Sequence, residues 1–183
     1  MVDMLSNQSM SDRVEQGRKL EAQIAKNWAP QLVAIGCKVL DVTSNEDKYD
    51  KIDRWIVTAK GTKLSVQIKG RIESGDDLIY EIVKNMETGE IGRDLKGKAD
   101  LYLYVDRSGK GWLYKNATIH AAVKVLLDQV MKDLVKNERQ TEWDGPTYEL
   151  KITTDNYHGN TKLMGFFAPN HFPVISTFKN LYA

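Results

Sequence analysis

A single cysteine, Cys37, stands in the 183 residues. No disulfide can form within the chain, and a cysteine-based zinc site is excluded. Cys37 falls between Ile35 and Val39 and reads as a small buried hydrophobe. Long apolar runs are missing as well. No window approaches the roughly 20 apolar residues of a membrane span. The first residues lack the apolar core of a signal peptide, so a reducing cytoplasm is the expected compartment, and no membrane partner is expected. Charge of one sign is not in excess either. Lys and Arg number 26 against 25 Asp and Glu, a net charge of +1. No global basic field announces nucleic acid, and any basic surface must be local. Phosphate-loop, dinucleotide and serine-elbow motifs are absent.

What is present suits one compact domain over residues 1–183, with 42% hydrophobic and 28% charged residues. Residues 1–10 read as a loose lead-in. Ser11 is a plausible N-cap for a helix in which Val14, Gly17, Leu20, Ile24 and Trp28 recur at helical spacing. Pro30 should end or kink it near Ala29, with a further turn over 31–35 and a stop at Gly36. Strands are expected at 38–43, 53–59, 63–69, 78–84, 100–106 and 112–115, with Lys60-Gly61 as a tight turn. Residues 86–99 read as a polar, flexible loop. Asn116 is expected to cap a helix with Ile119, Ala122, Val123, Leu126, Leu127, Val130 and Leu134 on one stripe. More strands are expected near 148–153 and 162–168. This order points to an α/β or α+β sandwich rather than an alternating βαβ chain.

The segment from Tyr49 to Arg71 carries the chemistry. Asp53 opens one strand of a hairpin. On its partner Leu64, Val66 and Ile68 face one way, and Ser65, Gln67 and Lys69 the other. Cutting a phosphodiester requires a divalent ion on the phosphate, an activated water, and neutralisation of growing negative charge. Magnesium takes hard oxygen ligands and keeps several waters. Asp53, the amide oxygen of Gln67 and the backbone carbonyl of Ile68 could ligate such an ion, with Lys69 holding the water. Glu21 adds a carboxylate on the buried stripe of the first helix, where an unpaired charge is costly. Its bland alternative is a place at the stripe's edge, paired with Arg18.

On these residues the chain resembles the PD-(D/E)XK, or restriction-endonuclease-like, nuclease superfamily. Glu21 matches the helix acid, Asp53 the motif aspartate, and Gln67 and Lys69 the (Asp/Glu)-x-Lys triplet, over roughly residues 13–135. The segment 141–183 has no counterpart and reads as a C-terminal strand and loop extension. The resemblance implies a central mixed β-sheet flanked by helices. It also implies a magnesium ion, for which manganese may substitute, a DNA substrate, and endonuclease activity of phage or mobile-element type, in the host cytoplasm if phage-encoded. Many relatives act as homodimers. Ile52 stands where the motif often has proline, and Gln67 replaces its acid; Asp50 is near enough to be an auxiliary. The alternative is a catalytically inactive nuclease-fold protein that binds nucleic acid or a protein partner.

Lys63, Arg71, Arg93, Lys96 and Lys98 are candidates for phosphate contacts, against scattered solvated charges. Glu81 is either a supporting acid or a surface one; Asp100 and Asp106 read as strand-end polar residues. His158 and His171, with Asn160, fit neither an HNH nor a zinc spacing, and a loop role is expected.

Overall fold

The computed structural model describes residues 10–43, 47, 50–71, 76–154 and 159–182. The expected lead-in over 1–10 lies almost wholly outside them, as do His158 and the side chains of Ser11 and Val14. Helix α1 runs Met10–Ala34, so Ser11 lies inside the helix rather than before it. Ile24, Ala25, Trp28 and Leu32 form its buried stripe. Pro30 sits within the helix and does not end it. The ring removes one helical hydrogen bond, but Trp28 and Leu32, on either side, are both packed into the core. The stop at Gly36 is as expected. Its φ is +80°, and the amides of Gly36 and Cys37 donate to the carbonyls of Val33 and Leu32 at 2.9 and 3.0 Å, the paired closure of a Schellman end.

The chain then builds β1 (Lys38–Leu40), β2 (Arg54–Val57) and β3 (Lys63–Gly70) as an antiparallel meander. Gly61, at φ +82°, supplies the left-handed turn between β2 and β3. From β3 the chain leaves this sheet, forming β4 (Leu78–Asn85), β5 (Glu90–Ile91) and a one-turn helix α2 (Arg93–Lys96). It returns as β6 (Leu101–Val105), parallel to β3, and β7 (Gly111–Lys115). Helix α3 spans Asn116–Lys136. Then come β8 (Glu142–Gly145), β9 (Tyr148–Thr154), β10 (Thr161–Phe167) and β11 (Val174–Phe178). The mixed six-stranded sheet has the order β1-β2-β3-β6-β7-β11, and the antiparallel five-stranded sheet β5-β4-β10-β9-β8. With three helices among the described residues, the protein is α+β.

Alternation along β6 divides the core. Leu101, Leu103 and Val105 join Val66, Ile68 and the α1 stripe in one cluster. Tyr102 and Tyr104 join Leu78, Tyr80, Leu150, Leu163, Phe167 and the α3 residues Ile119, Val123 and Val130 in the other. The six-stranded mixed sheet is thus covered by α1 on one face and by α3 with the second sheet on the other; helices flank it as expected, and the second, antiparallel sheet is the addition. Residues 141–183, set apart in the sequence, supply three strands of the second sheet and one edge of the first. Two further expectations are corrected. Residues 86–99 are not a loose loop: Asp94, Leu95 and Ala99 are buried, and a single helical turn has too few residues to show a period. Asn116 does not cap α3; the cap position is Lys115, and the buried Asn116 side chain donates to the Ala99 carbonyl at 3.0 Å.

Gly92 fixes the entry to α2. Its amide donates to the Ile82 carbonyl at 2.8 Å, and a Cβ there would lie 2.0 Å from the Glu81 carbonyl oxygen. Backbone cannot yield as a side-chain tip can. Gly92→Ala is therefore expected to cost about 1–3 kcal/mol in urea unfolding. Gly17→Ala, in α1 with nothing within 4 Å of its Cβ, should be neutral or stabilising by up to about 1 kcal/mol.

A candidate metal centre at a strand edge

The site begins where β2 parts from β3. Arg54 pairs with Val66, yet the amide of Asp53 also reaches the Val66 carbonyl, at 2.8 Å. Two residues of one strand thus face one residue of the other, the arrangement of a β-bulge, which re-aims a side chain. Pairing stops there. The next group on that edge of β3 is the Ile68 amide, and the Asp53 carboxylate takes it, Oδ2 accepting at 2.5 Å. In a strand the N–H and C=O of one residue point to the same edge, so the Ile68 carbonyl faces the space β2 has left. Just upstream, Lys51 adopts a left-handed φ of +59°, and Ile52 is buried, anchoring the turn that delivers Asp53.

Lys69 follows Ile68 on β3, and Glu21 comes from α1. Close approach of that helix rests on Gly70, where a Cβ would lie 2.6 Å from Ile24 Cδ1 and 2.7 Å from Leu20 Cδ2. Glu21 is half-buried rather than at an open edge. Burial pushes its carboxyl up to about 7, and the Asp53 charge pushes the same way, against the pull of Lys69 and Arg93. Burial likewise lifts Asp53 to about 6, opposed by the Ile68 amide and Lys69. Lys51 is lowered by burial and then by Arg93, with Lys69 adding to the effect. Glu21 therefore lies in the field of Asp53, Lys69, Arg93 and Asp47, and Lys51 in that of Arg93, Asp47, Lys69 and Asp53.

Gln67 is placed differently. Only 2% exposed, it is no solvated surface residue. Its Nε2 donates to Asp94 Oδ1 at 3.4 Å. Asp94 Oδ2 accepts from the Glu81 amide at 2.8 Å. The carboxylate fixes which way the amide points and leaves Gln67 Oε1 without a partner. Gly97 keeps that space open, since a Cβ would come within 2.8 Å of Oε1. No hydrogen bond joins Gln67 to Asp53 or Glu21 among the described residues.

The basic candidates separate. Arg93 lies in the field of the acid pair. Lys63 sits over the Trp55 ring at 4.0 Å, six residues and roughly 20 Å of strand from Lys69. Lys96 pairs with Glu90 at 3.1 Å and Lys98 with Asp50 at 2.7 Å, so Asp50 ties down a loop instead of joining the acids. Arg71 donates to the Asp77 carbonyl at 2.6 Å. Glu81 takes a supporting part, its carboxylate accepting from the Arg93 amide at 2.8 Å and facing Lys162 at 3.4 Å. Asp100 accepts from the Ser65 amide and hydroxyl. His171 meets Thr147 at 2.7 Å, among aromatic rings. Two contributors had escaped notice in the sequence. Lys51 is one more lysine of a charged loop; Asp94 is an acid in a segment that reads as polar loop.

Among the described residues no three His, Cys, Asp or Glu side chains gather for a metal ion. The donors at the edge are instead two carboxylates and an outward carbonyl, while the unpartnered amide oxygen of Gln67 faces Gly97. Magnesium is commonly held by one or two carboxylates with waters and substrate phosphates making up the shell, and this all-oxygen set fits that pattern. No protein-family model, curated protein or solved structure matches the chain. Among the described residues no helix is long and apolar enough to cross a membrane.

The raised acids make stability depend on pH. An ordinary glutamic acid ionises near 4.5 and Glu21 near 7; for aspartic acid the values are 3.8 and about 6. Between those limits the folded chain holds protons that the unfolded chain has released. Stability should therefore fall as pH rises from about 4 to about 7. In EDTA, thermal melting followed at pH 5 and pH 8 should show the loss, and Glu21→Gln should reduce it, stabilising the protein at pH 8 by on the order of 2 kcal/mol. A Glu21→Gln protein with the wild-type pH profile would show that Glu21 is not the source.

Proposed function

We propose that the chain is a divalent-metal-dependent nuclease that hydrolyses DNA phosphodiester bonds, an endonuclease of the restriction-endonuclease-like kind. What carries this reading is the Asp53 carboxylate held on the Ile68 amide at an unpaired strand edge, with Lys69 the next residue along β3 and Glu21 on α1. The antiparallel β1-β2-β3 meander with β6 parallel to β3 supports the family resemblance, as does α1 packed across them. Magnesium or manganese, when bound, would polarise the phosphate and acidify water.

The chain's own groups then have distinct tasks. Asp53, with one oxygen on the Ile68 amide, turns the other toward the edge, where it and the Ile68 carbonyl can hold the ion. Glu21 supplies a second carboxylate from the helix side. Without a cation the two acids repel, and burial keeps them part-protonated; with one, both can ionise. The Lys69 ammonium orients the attacking water and offsets charge growing on the phosphoryl oxygens. Arg93 can bind a non-bridging oxygen of the same phosphate.

One observation favours a second reading, a nuclease-fold protein that binds nucleic acid without cutting. Gln67, at the acid position of the triplet, has its amide tied to Asp94 and adds no charge to the ion's surroundings.

The deciding experiment incubates supercoiled DNA with the protein in magnesium, in manganese and in EDTA. Nicking or linearisation is expected with either metal and not in EDTA. Asp53→Asn and Lys69→Ala should each lower the rate by roughly 10²–10³-fold while leaving the fold intact by circular dichroism. Retention on DNA with no cleavage under any metal would favour the second reading. Cleavage undiminished in both variants would place the chemistry elsewhere.

A further inference from the structure

The loop that delivers Asp53 carries a residue its backbone disfavours. Lys51 has a φ of +59°, in the left-handed region, where a Cβ is costly for most residues and least so for asparagine and aspartate. Elsewhere among the described residues such positions fall to glycine or, at Asn180, to asparagine. The neighbours of Lys51 hold it there. The Asp50 carbonyl accepts from the Lys98 amide at 3.0 Å, and the Asp50 carboxylate pairs with the Lys98 ammonium at 2.7 Å. Ile52 is buried. Asp53 is bonded to β3 through both its amide and its carboxylate. Glycine would meet this backbone geometry without steric cost. A lysine in its place is accounted for by what the side chain does.

That side chain is directed toward the acid edge. Lys51 is half-buried, and the charges acting on it are Arg93, Asp47, Lys69 and Asp53. Burial and the two like charges disfavour its ammonium, and the two acids favour it, with burial and Arg93 the larger influences. Two separate costs thus fall on one residue, two places from Asp53. One is a left-handed backbone; the other is a cation partly withdrawn from water in the field of two more cations. Strain of the first kind persists where the surrounding structure over-determines it, and it clusters at ligand-binding and active sites. Crowding of the second kind is relieved by an anion.

We propose that Lys51 is a substrate-contacting residue, its ammonium binding from the loop the phosphodiester that faces Asp53, as Lys69 does from β3. This rests on the nuclease reading for the identity of the anion. It adds to the site a cation outside the Gln67-x-Lys69 triplet, held in position by a backbone that is fixed on both sides.

The test compares Lys51→Gly, which suits the left-handed backbone and removes the ammonium, with Lys51→Arg, which keeps both the charge and the backbone cost. Lys132→Gln, on the exposed side of α3, controls for the loss of one positive charge. Binding of a labelled DNA duplex is followed by fluorescence anisotropy in EDTA over a range of salt, nicking of supercoiled DNA in magnesium, and stability by urea unfolding. Lys51→Gly should unfold at or above the wild-type urea midpoint, yet flatten the log–log salt dependence of binding by about 0.9 and slow nicking by roughly 10²-fold. Lys51→Arg should restore most of both losses, and Lys132→Gln should show neither. Wild-type salt dependence and nicking in Lys51→Gly overturn the proposal. So does a lowered urea midpoint with losses that Lys51→Arg does not rescue, which would make the role structural, and so does wild-type protein that binds no duplex. The two ideas separate. If wild type binds but cuts under no metal while Lys51→Gly still flattens the salt dependence, the cutting reading fails and the phosphate contact stands. If wild type cuts and Lys51→Gly cuts and binds equally well, only the contact fails.

Discussion

A carboxylate accepting a strand-edge amide organises this region. Because the chain bulges at Asp53, β2 stops covering β3 after Val66, and the Ile68 amide needs another acceptor. Asp53 supplies it. That bond fixes one carboxylate oxygen and leaves the edge open, with the Ile68 carbonyl turned into the gap. The neighbouring features depend on this opening. Gly70 lets α1 come down onto β3 and bring Glu21 within the field of Asp53. Lys69 extends from the far side of the same strand, and Arg93 arrives on the short helix whose entry Gly92 permits. A fully paired β2 would close the edge and separate the acids from the lysine.

On the proposed reading, electrostatics would make the arrangement receptive to a cation. Two carboxylates partly withdrawn from water repel each other and hold protons above their ordinary range, a condition relieved by a hard divalent ion. Lys69 and Arg93 moderate that repulsion at Glu21, and Lys69 does so at Asp53. Gln67 fits as a neutral anchor. Its amide nitrogen is held by Asp94, and its buried oxygen faces the room left by Gly97. Replacing an acid with an amide there avoids a third buried negative charge beside Asp94.

Much of this was legible in the sequence where local pattern and final environment agree. The alternation in Lys63–Lys69 put Gln67 and Lys69 on one face, the Lys60-Gly61 pair marked the turn, and Gly36 marked the helix end. The stripe on α3 was visible because its apolar positions repeat over about four turns, Ile119 to Leu134. Other features had no local signature. Pro30 argued for a break that packing of Trp28 and Leu32 overrides. Asn116 looks like a cap but is a buried donor to Ala99. The α2 turn is too short for a period, and the burial of Asp94 depends on β4 and β3, far away in sequence. The segment Lys179–Tyr182 is legible only in three dimensions, since its carbonyls accept from Gln31, Asn27 and Gln23 of α1. Three β-strands had no signature: β5 is two residues long, and β8 and β11 show no clean alternation; their places come from pairing with β4, β9 and β7.

The opening beside Ile68 is tested most directly by soaking crystals of the protein with manganese and collecting data at a wavelength where that metal scatters anomalously. An anomalous peak is expected at the β3 edge, within ligand distance of the free Asp53 oxygen and the Ile68 carbonyl, with Glu21 turned toward it; Asp53→Asn crystals should lack the peak. Manganese bound elsewhere on the chain with this edge vacant, or a peak that persists unchanged in Asp53→Asn, would contradict the account.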